Sequence, residues 1–256
     1  MFCGLRAFLR LISFAVLMTL LSIFVPLTRL LSGEKNGFYI YRNGMLLMHK
    51  ILGIRLNIIG EFPKEPAIIM FNHPSYFDIF YNIGIRPSVM VVGHQFKKWP
   101  FIGWLAMALK SIFVNRTNPN ARKKVREDVI QTIKKGLSVF VSPEGRTSGS
   151  HCIHEVKPGL FHDASTNNIP IVFYSFWYHS TDFPYFHDLK SGFLLDLFKH
   201  LWRALKNKYV KVDMRISSPR KIDSADTGMQ DFYRFNAWHL RNAIDKERIE
   251  NPNILV

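Results

Sequence analysis

At 256 residues and 48% hydrophobic content, the chain is long enough for one sizeable domain plus an appendage, and no internal repeat or low-complexity linker interrupts it. A formal net charge of +15 demands an anionic counterpart, whether nucleic acid, anionic lipid or an acidic substrate, and 22 phenylalanines suggest an apolar cleft or a membrane-facing surface. The two cysteines, Cys3 and Cys152, exclude a disulfide framework and a paired-cysteine zinc site, so a reducing compartment fits best.

The first element is an apolar helix. Residues 11–28 carry no charged side chain and are bracketed by Arg10 and Arg29; roughly 18 residues is close to the minimum that spans a bilayer core. No small-x-small cleavage site follows, and Glu34 stands where a lipoprotein signal needs its cysteine, so a retained helix is favoured over a signal peptide. Pro26 and a second semi-apolar stretch, 38–56, leave a helical hairpin dipping into one leaflet as the alternative to a span. Beyond Gly60, short apolar runs predict strands at 67–71, 88–92, 111–115, 137–141, 169–178 and 209–217, the last with the alternation of a half-exposed edge. Asn118 and Pro119 open a helix that carries Val125, Val129 and Ile133 at spacing four and ends at Gly136. Residues 192–208 form a basic amphipathic helix. Its apolar face holds Leu194, Phe198, Leu201 and Leu205, joined by Leu195 and Trp202, and suits an anionic membrane or the flank of the sheet equally. A last helix, 229–246, aligns Tyr233, Ala237, Leu240 and Ile244. Strands separated by helices define the α/β class, with residues 1–56 as N-terminal membrane-associated helices and 57–256 as the α/β domain.

Three segments carry chemistry. Directly after the first predicted strand comes Asn72-His73-Pro74-Ser75-Tyr76-Phe77-Asp78. A proline suited to a first helical turn leaves His73 just outside the helix, from where it can turn back to Asp78; the carboxylate then holds one imidazole nitrogen and leaves the other as a base. Phe113-Val114-Asn115-Arg116 ends another strand and offers a guanidinium to a phosphate. Ser142-Pro143-Glu144-Gly145-Arg146-Thr147-Ser148 forms a tight turn after a third strand, at the edge where open α/β sheets bind ligands. Taken alone, the first reads more often as a helix cap with a surface carboxylate and the second as a surface arginine, and the third as readily as a plain charged turn. His151-Cys152-x-His154 is too crowded for zinc and has no second ligand pair, so no metal is expected.

Together these segments resemble the 1-acylglycerol-3-phosphate acyltransferases and their glycerolipid acyltransferase relatives. Asn72, His73 and Asp78 match the N-H-x-x-x-x-D motif, Phe113 to Arg116 the second motif, Pro143-Glu144-Gly145 the third and Ile169-Pro170-Ile171 the fourth, in order and spacing over roughly residues 60 to 220. Lys157-Pro158-Gly159-Leu160-Phe161 and Trp99-Pro100-Phe101-Ile102-Gly103 match two further stretches. The departures are Gly-Arg-Thr in place of Gly-Thr-Arg at 145–147, Ser142 before the proline, Phe173 at the fourth motif's second proline, and Gly93 or His94 where a lysine is common. They bear on the acceptor more than on the reaction.

The resemblance implies a mixed central sheet flanked by helices and preceded by the N-terminal membrane helix or hairpin. It implies acyl transfer from an acyl thioester, of coenzyme A or acyl-carrier protein, to the free hydroxyl of a lysophospholipid, 1-acyl-glycerol-3-phosphate first among them, with no further cofactor. His73 is then the general base, oriented by Asp78. Arg116 and Arg146 hold the acceptor phosphate, Glu144 places its polar group, and Asn72, Phe113, Asn115, Gly145 and Lys157 complete the substrate site. A membrane location with the catalytic domain on the cytoplasmic face follows, with anionic lipid as partner and no nucleic acid. Acylation of another lysolipid, transacylation between phospholipids, and a non-catalytic basic lipid-binding protein are the rival readings; the last has no use for a His73–Asp78 pair.

Overall fold

The apolar runs at 68–71, 138–141 and 171–178 are buried along their whole length, as expected of strands covered on both faces by helices. A computed structural model describes residues 2–115, 119–150, 152–185 and 193–250. The strands are β1 (Ile54–Ile59), β2 (Ile68–Phe71), β3 (Ser88–Gly93), β4 (Ile112–Val114), β5 (Ser138–Val141), β6 (Ile171–Tyr178) and β7 (Val210–Ile216). They form one mixed sheet in the order β1-β7-β6-β2-β5-β3-β4, parallel at every pairing except β6 with β7.

The strand expected at an edge, β7, lies between β1 and β6. Its alternation reports one polar face, with Lys211, Asp213 and Arg215 opposite Val212, Met214 and Ile216, which join the core. The edge on that side, β1, includes residues 54–56 that read from sequence as the tail of an apolar helix.

Two cores sandwich the sheet. On one face α3 (Pro119–Lys134), α4 (Gly159–Thr166) and α6 (Ala225–Glu250) pack over Val139, Ile171 and Phe173. The buried stripe of α6 is Gly228, Phe232, Asn236 and Leu240, not the expected face of Tyr233 and Ala237, which are exposed. Asn236 interrupts the apolar periodicity although it is fully buried, its amide donating to the Phe232 carbonyl at 2.9 Å. The cap assigned to Asn118 lies outside the described residues.

The other face is covered by α1 (Phe2–Leu52), α2 (Ile102–Ala108), α5 (Phe193–Lys206) and a 3-10 helix, Tyr76–Tyr81. α1 breaks at Gly33, where φ is 87° and ψ 170°, a backbone conformation open to glycine at little cost. The two arms return antiparallel: a side chain at Gly44 would strike Leu21, and one at Gly37 would strike Arg29. The two arms therefore form a helical hairpin. Its first arm is long and apolar enough to cross a membrane, but both flanking arginines reach helices of the α/β half. Arg10 donates to the carbonyls of Leu205, Asn207 and Lys208 at the end of α5. Arg29 donates to the Ala108 carbonyl at the end of α2 and pairs with Glu34. Both sit where helix carbonyls lack partners and a cation is favoured. Pinned at two points about 28 Å apart along its axis, the arm lies against the domain. Its outer side exposes Leu5, Phe8, Leu9, Ile12, Val16, Leu20, Ile23, Phe24 and Leu27.

Candidate active site

β2 and β5 are neighbours and parallel, so the segments that follow them, 72–78 and 142–148, emerge side by side although some seventy positions separate them. This is the carboxyl edge of the sheet, the usual ligand edge of open α/β folds.

His73 leaves β2, and the chain turns at Pro74 into the 3-10 helix. Ser75 caps that helix in a capping box, its hydroxyl accepting from the Phe77 amide while the Asp78 carboxylate accepts from the Ser75 amide at 3.0 Å. The cap aims Asp78 back at His73: Nδ1 to Oδ2 is 2.8 Å. A carboxylate acceptor places the proton on Nδ1 and leaves the Nε2 lone pair for chemistry. Asp78 is wholly buried, and Tyr178 at the end of β6 donates to its other oxygen at 2.6 Å. Burial raises the Asp78 carboxyl above its ordinary range, opposed by the bonds from His73, Tyr178 and Ser75. His73 retains 16% side-chain exposure, enough to meet a substrate.

Two expected substrate contacts have other work. Asn72 is 1% exposed, and its amide both donates to the Phe176 carbonyl (3.1 Å) and accepts from the Phe176 amide (2.7 Å). It continues the β2–β6 ladder with a side chain and has no surface to offer an acceptor. Glu144, 4% exposed, accepts from the His73 amide at 2.9 Å and the His154 amide at 2.8 Å, one on each oxygen. It ties the third motif to the catalytic turn, and burial raises its carboxyl while those two amides oppose the shift. Gly145 takes φ 71° in the turn and donates to the Ser142 carbonyl.

Arg146 and Lys157 are exposed at the same sheet edge; Lys157 pairs with Glu155 at 2.9 Å, and its amide bonds the Pro143 carbonyl. Phe113 is half-buried and Asn115 exposed at the end of β4, three strands from β2, a lateral offset of about 14 Å. Arg116 and His151 lie outside the described residues.

Sequence reasoning passed over Ser75 and Tyr178. Ser-x-x-Asp at 75–78 is a readable capping box, whereas Tyr178, the last aromatic of a long apolar strand, is indistinguishable from core. Ser75 is fully buried, and its hydroxyl donates to the Phe183 carbonyl.

The family comparison agrees with this geometry. The acyltransferase family model matches residues 53–177, just under half of the chain. It is 29% identical over 115 residues to a 1-acyl-sn-glycerol-3-phosphate acyltransferase of Neisseria gonorrhoeae, covering 44% of this chain and 45% of that one. A lyso-ornithine lipid O-acyltransferase of Pseudomonas aeruginosa is 23% identical over 70% of each chain. The first of these alignments thus spans less than half the relative's length. The crystal structure of a 1-acyl-sn-glycerophosphate acyltransferase from Thermotoga maritima shares the fold, with a TM-score of 0.66 and 17% identity over 93% of this chain and 97% of that one.

Proposed function

We propose that the protein is an O-acyltransferase that moves an acyl chain from a thioester of coenzyme A or acyl-carrier protein to the free hydroxyl of a lysophospholipid, 1-acyl-glycerol-3-phosphate being the first candidate. The observation that carries this is the His73–Asp78 pair, with Nδ1 fixed on a buried carboxylate and the ring itself partly open. Nε2 takes the proton of the acceptor hydroxyl as its oxygen attacks the thioester carbonyl. Asp78 stabilises the imidazolium, and the same proton goes to the departing thiolate, leaving an ester and a thiol. No side-chain nucleophile is required. Arg146, Lys157 and Arg116 hold the acceptor's phosphate.

The domain works at an anionic membrane surface, on the cytoplasmic side where both thioesters occur. The outward stripe of α1 enters the interface alongside α5, whose Leu195 and Phe198 are 58% and 50% exposed and flanked by Lys199, Arg203 and Lys206. Leu201 and Trp202 of α5 pack instead against the core, and His200 accepts from the Tyr76 hydroxyl at 2.9 Å.

A second acceptor is favoured by one observation: the lyso-ornithine lipid acyltransferase aligns over a larger share of this chain than the Neisseria relative does. Membranes carrying the protein, supplied with labelled acyl-coenzyme A or acyl-carrier protein and each lysolipid in turn, decide between them. Thioester consumption that depends on lysophosphatidate supports the first reading, and dependence on lyso-ornithine lipid the second. Phospholipid-to-lysolipid transfer without thioester would replace both.

A further inference from the structure

We infer that Tyr178 is a positioning residue for the acyl transfer, holding the Asp78 carboxylate in the orientation that His73 requires; this rests on the general-base reading above. Asp78 has no exposed surface, so both oxygens depend on protein donors. Oδ2 receives the His73 ring and the Ser75 amide, both from the catalytic turn itself. Oδ1 receives the Tyr178 hydroxyl, from a strand a hundred positions further on. The two local donors act on Oδ2 alone, and rotation about the Cβ–Cγ bond, which moves both oxygens together, would lengthen their bonds. A donor on Oδ1 further restrains that rotation and with it the line from Oδ2 to Nδ1.

The tyrosine is well placed to hold that position. It is 1% exposed, stacks on Phe183 with centroids 5.8 Å apart and planes 18° apart, and lies 6.1 Å from the ring of Tyr81. Phe183 is itself tied to the cap through the Ser75 hydroxyl. A ring clamped in this way loses little further freedom when its hydroxyl bonds. Burial and the neighbouring Asp78 charge keep the phenol protonated, so it donates. The groups facing the His73–Asp78 pair are Tyr178 from β6, Tyr81 from its own 3-10 helix, and Glu144 from the turn after β5, with His154 behind Glu144. Among them Tyr178 alone bonds the Asp78 side chain across the sheet.

The sign of the effect follows. The hydroxyl stabilises the carboxylate most when no proton is on the pair. Removing it raises the proton affinity of the pair, so the acid limb of the rate profile moves to higher pH. Tyr178→Phe should lower kcat by roughly tenfold or more, the value of one charge-assisted hydrogen bond, with KM for donor and acceptor unchanged. A fluorinated tyrosine at 178, a stronger donor of the same shape, should move the acid limb the other way while keeping most of kcat. Rate profiles of the full-length protein in lipid, with the thermal melt measured alongside, test both. A lower melt with an unmoved acid limb and unchanged kcat in Tyr178→Phe would reduce Tyr178 to packing. If that variant does not fold, an unshifted limb in the fluorinated protein overturns the inference by itself. His73→Ala run in parallel keeps the two ideas apart: if it turns over normally, the general-base reading fails, whereas an inactive His73→Ala beside an unshifted Tyr178 series fails this inference alone.

Discussion

Among the described residues, two His–Asp pairs have nearly the same separation. His73 Nδ1 lies 2.8 Å from Asp78, and His179 Nε2 lies 2.9 Å from Asp213. The first is local, closed by a capping turn five residues long; the second spans β6's end and β7, with Asn57 of β1 donating to the other oxygen at 2.8 Å. Their carboxylates behave oppositely. Burial raises Asp78 in spite of its three donors. Burial also pushes Asp213 up, but its bonds to His179 and Asn57 outweigh that and bring it down to about 2. Distance between partners therefore does not mark a catalytic pair. What sets the proposed catalytic pair apart is a wholly buried carboxylate beneath an imidazole that keeps one partly open face.

Breaking the two pairs in turn should separate them. His73→Ala should cut kcat by roughly 10²–10⁴-fold, the worth of general base catalysis, with little change in donor KM; His179→Ala should stay within about twofold of the parent under the same assay. Single-turnover exposure to labelled thioester without acceptor should leave no label on the protein, and a stable label that lysolipid removes would reveal an acyl-enzyme.

Next in size is the acceptor site. Arg146→Ala should raise KM for a phosphate-bearing lysolipid by roughly 10- to 100-fold, matching a lost charged hydrogen bond, with kcat preserved. A rise in donor KM instead assigns Arg146 to the thioester. On the lipid side, Leu195→Glu with Phe198→Glu should weaken sedimentation with anionic vesicles several-fold while circular dichroism is unchanged, because neither side chain enters the core. Retained vesicle binding would return α5 to a purely structural role.

The smallest effect is on stability. Asp78 has a raised carboxyl, so ionising it opposes folding as pH climbs from its unfolded value near 3.8 towards the folded one. Asp78→Asn should therefore melt no lower than the parent at neutral pH while losing activity. Asp213 is lowered, so its contribution is present above pH 3.8 and is lost as pH falls towards 2. Asp213→Asn should melt lower at neutral pH and converge on the parent in acid. Equal behaviour of the two variants would remove the contrast.

Much of this was legible in the sequence, for physical reasons. Central parallel strands are apolar on both faces, so β2, β3, β5 and β6 appear as unbroken runs. The His73–Asp78 pair is local, so a helix start placed the two side chains within reach, and the other motifs gave the pair its meaning. What stayed hidden is polar side chains that turn inward. Asn72 and Glu144 look like ligands because they are polar residues at strand ends, yet each satisfies backbone groups left over where a strand stops. β1 was hidden for another reason: its pattern is largely exposed and it follows an apolar helix without a break in composition.

The two arginines at the ends of the apolar arm determine how this protein can be handled. Removing residues 1–52 to obtain a water-soluble protein would uncap α5 and α2 together and uncover Phe80 and Tyr81, against which Phe14 and His49 pack. The apolar arm is in this sense also a wall of the α/β domain. Solubility is better sought by polar substitution along the outward stripe from Leu5 to Leu27, leaving Arg10 and Arg29 in place.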